Sequence, residues 1–192
     1  MKKTLMTILG VVGLTSASQA QFAGMTGGIM LGGGYMEEPG EAYAALQLRG
    51  TFYEDDAFAH SFFFEFLGHS DDAVLEFVGP GGGIFLENGD IRFANFTLNY
   101  ELEAKLNSTI SIYAGGGAGL EYVSLDDRFD FSIDSDTNFV GQAFVGFRAK
   151  FGQSFFAQMG VRHLWREDFS LLNDQFVTED TTAYDLSIGF RF

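Results

Sequence analysis

Three histidines, His60, His69 and His163, are the side chains of this sequence suited to general-base work near neutral pH. A hydrolytic dyad needs a hydroxyl beside the base, and the nearest serine downstream of His163 is Ser170, with Trp165 two residues on. The sequence reading for His163 is therefore an anchor beside Trp165 rather than a catalytic base. Asp134, Asp136 and Asn138 repeat the opening of a calcium loop, but the sixth position, where a sharp turn calls for glycine, is Phe139. The run Gly-Pro-Gly-Gly-Gly at 79–83 lacks the Lys-Ser/Thr pair of a phosphate cradle and reads as a turn. No catalytic residue, metal site or cofactor is expected.

Charged residues recur at every second position inside otherwise apolar segments. Arg49, Glu65, Glu101, Glu121, Arg148, Arg162, Arg166, Asp185 and Arg191 each face the opposite side from their apolar neighbours. Five arginines against four acids suits a network in which each charge finds its opposite, because unpaired buried charge is costly. The alternative is an ordinary solvated sheet face.

The elements that carry these charges alternate with period two, the pattern of strands. Eight long segments are expected: about 26–36, 42–53, a third marked by Phe62, Phe64 and Phe66, then about 94–102, 110–122, 138–151, 155–165 and 184–192. Phe63 and Leu67 break the pattern of the third. The connections alternate short and long, with long ones at 70–89, 124–137 and 167–181; the short one at 37–41 is the exception. Within the first long connection, 73–78 and 84–87 could form a hairpin, with Asn88-Gly89 as a tight-turn signal. An extracellular hairpin is preferred to two further spanning strands, because the pieces are about half of a spanning length.

Lys2 and Lys3, an apolar run over 5–14 and the small-residue site Ser18-Gln19-Ala20 read as a signal peptide, leaving one domain over 21–192. Losing the two lysines takes the net charge from −15 to −17, which disfavours nucleic acid as a partner. With no cysteine, an exported chain must hold together through a large core or a closed sheet.

Alternation does not say which face is the core, and a soluble ligand-carrying barrel would alternate too. Volume decides: the apolar face is rich in Phe and the polar face in Gly, and eight strands enclose a space just filled by side chains. Bulk outside and small residues inside suit lipid. Tyr35, Tyr100, Tyr122, Trp165 and Phe192 lie near strand ends, where interfacial aromatics belong.

The segments YAGGGAGLEY (113–122), FVGQAFVGFRAKFGQSFFAQMGVRHLW (139–165) and the closing LSIGFRF resemble the small outer-membrane β-barrel family, the eight-stranded porin-family proteins related to OmpX and the barrel of OmpA. The resemblance covers 21–192. It implies an all-β, eight-stranded antiparallel up-and-down transmembrane β-barrel, monomeric, in the outer membrane of a Gram-negative-type bacterium. It also implies that Leu186, Ile188, Phe190 and Phe192 form a signal read by the barrel assembly machinery during biogenesis, with Ser187 where glycine is frequent. Acyl-hydrolase members carry a serine two residues after the histidine; Trp165 holds that place here. The function expected is a non-enzymatic structural or surface-interaction role, with acidic extracellular loops and with outer-membrane lipid and lipopolysaccharide as partners. A lipid-modifying enzyme and a narrow pore are the alternatives.

Overall fold

The computed structural model describes residues 25–38, 40–78, 84–126, 135–171, 174–176 and 180–192. The 1–20 segment and Asp134 lie outside them. No helix occurs among the described residues.

The chain closes an antiparallel barrel from eight strands: β1 (Thr26–Met36), β2 (Ala42–Glu54), β3 (Phe58–Val78), β4 (Ile84–Lys105), β5 (Ile110–Asp126), β6 (Ser135–Phe151), β7 (Phe155–Arg166) and β10 (Thr181–Arg191). The short strands β8 (Phe169–Leu171) and β9 (Asp174–Phe176) make a separate hairpin between β7 and β10. The order around the wall is β1, β10, β7, β6, β5, β4, β3, β2, so each strand pairs with its sequence neighbour and β1 meets β10 to close the ring. Closure satisfies every edge at the level of the wall, which an open sheet of this length would leave exposed. At the seam Ile29 opposes Phe190 and Gly33 opposes Leu186.

The two ends differ. At one end the turns are tight: Asp55 accepts from the backbone N–H of Ala57 and Phe58, Asn107 accepts from Thr109 and Ile110, and Gly152 takes φ 71°, a conformation that glycine reaches without steric cost. Both chain termini of the barrel lie there, with Gly27 and Phe192 exchanging backbone bonds. At the other end β3 and β4 run on together beyond their neighbours. The ladder of β2 with β3 reaches as far as Ala44 opposite Gly68 and that of β4 with β5 as far as Asp90 opposite Asp126, while β3 and β4 stay paired to Val78 opposite Ile84.

Three sequence expectations change. Asn88 and Gly89 are not a turn: they pair with Val74 and Ala73 in the middle of the ladder, and the chain reverses between Val78 and Ile84. Much of the long connections expected at 70–89 and 124–137 is strand, because a ladder already in register extends at little further cost. Phe63 and Leu67 do not interrupt β3; they keep its alternation and point inward, 3% and 1% exposed.

Outside, the wall is apolar. Phe58, Phe62, Phe64 and Phe66 on β3, Phe96, Leu98 and Leu102 on β4, and Leu186, Ile188 and Phe190 on β10 are all exposed, Leu186 and Ile188 by about two-thirds. From Phe58 to Phe66 is eight residue steps, about 27 Å along the strand and about 21 Å across a wall with the usual tilt of about 40°. That is close to the height of a barrel's lipid-facing band.

The lumen as candidate functional site

All nine charged residues named from the sequence face the interior or its mouth, because strand parity holds along the wall at each of them; the one register shift of the β2–β3 ladder, between Thr51 and Tyr53, lies beyond Arg49. Arg49, Glu65, Glu101, Glu121, Arg148 and Arg162 are each at most 9% exposed. The side chains of Arg166 and Asp185 are also buried, whereas that of Arg191 is about one-third exposed at the short-turn mouth.

They form three tiers. Near the short turns, Glu101 bridges Arg49 and Arg148, the latter at 2.9 Å through Nη2. Arg148 also donates to Glu103 and, at 2.7 Å, to the Gln158 carbonyl, while Lys150 reaches Glu103. Below this tier Arg191 and Lys105 share Glu54, the lysine at 2.8 Å. A cavity of about 30 Å3 lies between Arg49, Glu103, Arg148, Lys150 and Arg191, room for about one water.

In the middle tier Glu65 accepts from Arg162 at 2.6 and 3.0 Å, from Gln142 at 2.8 Å and from Gln47. Arg162 spans the lumen, its Nε donating to Asp185 at 2.9 Å. Gln142 also donates to Thr97 and Asn99. Glu65 thus meets several donors, which is what a buried ion needs to offset desolvation, whereas Asp185 has the Arg162 Nε alone.

The outer tier is looser. Arg166 stands 3.2 Å from Glu121 and donates to His69 Nε2 at 2.7 Å, so the His69 proton sits on Nδ1. Both Asn95 side-chain atoms, His69 Nδ1, Asn138 Nδ2 and Arg166 Nε are buried without a hydrogen-bond partner among the described residues. Beside this tier Met36, Tyr43, Leu67, Val140, Leu164 and Ala183 make an apolar cluster inside the barrel.

Aromatic rings carry the guanidinium groups. Arg49 lies 4.9 Å from the Phe63 ring centroid, Arg148 stacks between Tyr113 and Phe156 at 5.1 and 5.0 Å, Arg162 covers Tyr43 and Arg166 covers Phe93. Desolvated contacts of this kind contribute up to about 2 kcal/mol each. The expectation of bulk outside and small residues inside is thus corrected in part. Phe63, Tyr113, Phe144 and Phe156 fill the lumen, and inward glycines make room for them: a Cβ on Gly115 would meet the Phe144 ring at 2.6 Å.

Sequence reasoning missed Glu103, Lys105 and Lys150, although the signal was present. Each continues by two the face that already held Glu101, Glu103 or Arg148.

The outward residues fall as follows. Tyr35, Tyr122 and Trp165, with Tyr184 nearby, lie on the wall toward the extended hairpin, and Tyr100 and Phe192 toward the short turns. Tyr100 packs on Phe62 and bonds the His60 ring at 2.7 Å. Leu186, Ile188 and Phe190 point outward on β10. His163 also faces out, edge-on to Trp165 at 5.0 Å, with its Nδ1 3.4 Å from the Thr182 hydroxyl. Among the described residues no third group completes a hydrolytic triad there, and none form a cluster able to hold a metal ion.

No protein-family model matches the chain, and no curated protein does so either. Solved structures do. Neisserial surface protein A is similar with a TM-score of 0.54 and 10% identity, covering 88% of this chain and 96% of its own. Outer membrane protein H of P. aeruginosa gives 0.52 and 12%, covering 87% and 99%. Ail, the attachment invasion locus protein of Yersinia pestis, gives 0.50 and 17%, covering 88% and 97%, in a complex with the heparin analogue sucrose octasulfate. The chain has the fold of the small eight-stranded outer-membrane β-barrels, an all-β up-and-down barrel.

Proposed function

We propose that the protein is a non-enzymatic, monomeric barrel of the outer membrane that presents its β3–β4 hairpin and acidic loops for interaction outside the cell. The observation that carries the reading is the inversion of the wall, with charge and hydrogen-bonding groups inside and an uninterrupted apolar belt outside. Exposed to water, that belt would far exceed the few hundred Å2 of contiguous apolar patch that soluble monomers tolerate. In lipid it is the expected surface.

The hairpin supplies the interaction surface. From Ala73 to Val78 is about 17 Å of strand beyond the reach of both neighbouring ladders, which end at Gly68 and at Asp90. Its backbone is paired throughout, and its sequence carries Asp71, Asp72, Glu76, Glu87 and Asp90. An edge strand rising clear of its neighbours offers its free N–H and C=O groups to an extended segment of a partner. The lumen, crossed by three tiers of paired side chains, is a strut rather than a channel.

Cell fractionation with gel migration before and after boiling tests the reading. The expected result is a heat-shifted band in the outer-membrane fraction, together with cleavage by external protease confined to the hairpin and loops. A periplasmic product soluble without detergent would overturn it.

A further inference from the structure

Three inward positions lie side by side at the short-turn end of the lumen: Arg191 on β10, Gly28 on β1 and Arg49 on β2, each directly opposite the next. A glycine thus stands between two arginines. A Cβ on Gly28 would meet the Phe190 carbonyl oxygen at 3.2 Å, then the Arg191 Cα and the Arg49 Cβ at 3.9 Å, so no side-chain end fills the space in front of it. The lumen cavity of about 30 Å3 lies there, the size of one water or one monatomic ion.

Four cationic side chains line this cavity, Arg49, Arg148, Lys150 and Arg191, against one carboxylate, Glu103. The hydrogen-bonding capacity left over is on the donor side. Arg49 spends both terminal nitrogens on Glu101, and its Nε, on a side chain 6% exposed, has no partner among the described residues. Arg191 likewise spends both terminal nitrogens on Glu54, which leaves its third nitrogen as a donor. Lys150 meets Glu103 with an ammonium that carries three donors. The acceptors, by contrast, are used. Glu103 sets Oε2 on Arg148 and Oε1 on Lys150, and the Thr51 hydroxyl is paired with Ser61.

A water in this place would bring two O–H donors into a ring of donors, whereas an anion only accepts. Charge points the same way. Arg49, Lys105, Arg148, Lys150 and Arg191 face Glu54, Glu101 and Glu103, and the carboxylate of Phe192, on the rim beside Gly27, still leaves the sum positive. Asp55 and Asp56 stand exposed in the turn beyond, where water and salt screen them. Uncompensated charge in a desolvated place is costly, and a bound anion offsets it.

We infer that the short-turn end of the lumen binds a single monatomic anion, chloride under physiological conditions, seated over Gly28 among Arg49, Lys150 and Arg191. The cavity has the size of one atom, which selects against phosphate, sulfate and carboxylic acids. The ion completes the tier built on Glu101 and Glu103, and the stability of the barrel rises with halide concentration until the site is full. The inference rests on the closed barrel and its lumen and is independent of what the hairpin meets.

The test uses the full chain folded in detergent micelles, in buffers where sodium chloride or sodium bromide replaces sodium gluconate at constant ionic strength. The urea midpoint of the wild type should rise along a saturating curve in chloride and in bromide and stay flat in gluconate, whose anion is too large to enter. Lys150→Gln keeps a donor toward Glu103 and removes the charge; it should raise the half-saturating concentration about tenfold. Gly28→Val, which fills the cavity and leaves every cation in place, should abolish the saturating response. Crystals grown in sodium bromide locate the ion, as one anomalous peak per barrel between Arg49, Lys150 and Arg191. A water at that place, or bromide on the outer surface only, would overturn the inference, as would the same halide response in all three proteins. Inorganic phosphate matching the effect of chloride would overturn it too, since the site would then be an open basic mouth. Should Gly28→Val give no heat-shifted band, Lys150→Gln and the anomalous map decide.

Discussion

The two halves of the lumen are built from the same residue types and solved differently. Toward the short turns Glu101 is held by two arginines, Arg148 is bonded to three different side chains and stacked between two rings, and Lys150 closes the tier. Toward the hairpin Glu121 has a single ion partner; buried atoms without a hydrogen-bond partner among the described residues occur in both halves, Arg49 Nε and Ser111 Oγ toward the short turns and atoms of His69 and Asn138 toward the hairpin, so the difference lies in the number of ion partners. Rigidity is therefore concentrated at the end where the chain turns tightly, and the end that carries the surface elements is fastened more by apolar packing around Leu67, Val140 and Leu164. Buried polar networks specify one arrangement when every member is satisfied, and leave latitude when some are not.

Removing Glu101 tests the contrast hardest. Glu101→Ala leaves the buried Arg49 without its ion partner and takes one of three partners from Arg148, and loss of one partner in a buried network costs about 3–5 kcal/mol. The urea midpoint of the barrel in micelles, followed by loss of heat-shifted migration, should fall accordingly. Glu121→Gln keeps the shape of the side chain and frees only Arg166, which retains its bond to His69; the expected loss is about 1–2 kcal/mol. Equal losses in the two variants would erase the distinction between the halves.

Conductance sharpens it from another side. With all three tiers intact, planar-bilayer recording should show no steady current. Removing the Glu101, Arg148, Glu65 and Arg162 side chains together should admit intermittent openings, because the outer tier that then remains ties Glu121 through Arg166 alone. Steady current through the wild type would mean that the tiers leave a water path.

The smallest effect lies in a turn. The Asp55 carboxylate accepts from the backbone N–H of Phe58, from the Tyr53 hydroxyl and from the N–H of Ala57, which hold it below the usual aspartate range. A depressed folded-state value stabilises above the unfolded value, at about 4, and the contribution is lost as pH falls through the folded one. Asp55→Asn should lower the unfolding midpoint slightly at neutral pH, where the contribution is fully present, and flatten its dependence on pH below about 4.

How much of this was legible beforehand follows from period two. Strand parity is a local property, so the facing of Arg49, Glu101, Arg162 and Asp185 could be read from their neighbours alone, and so could the outward ending of Leu186, Ile188 and Phe190. Which charge pairs with which could not, since Arg162 and Glu65 are 97 residues apart and meet across the lumen. Asn88-Gly89 misled because a tight-turn dipeptide competes with a ladder already fixed in register by β3, and here the ladder prevails. Phe63 and Leu67 misled because apolar side chains also belong inside a barrel, Phe63 as a face for the Arg49 guanidinium and Leu67 in the apolar cluster with Val140 and Leu164.

The most direct test of the inverted wall uses the single tryptophan. Trp165 points outward at the upper part of the belt, 46% exposed, and its emission reports the surrounding solvent. In vesicles containing lipids brominated along the acyl chain, the account predicts blue-shifted fluorescence that is strongly quenched when the bromine lies near the interface and weakly when it lies at the bilayer centre. Red-shifted emission indifferent to brominated lipid, from a protein that remains folded, would mean that the apolar face is not turned to lipid.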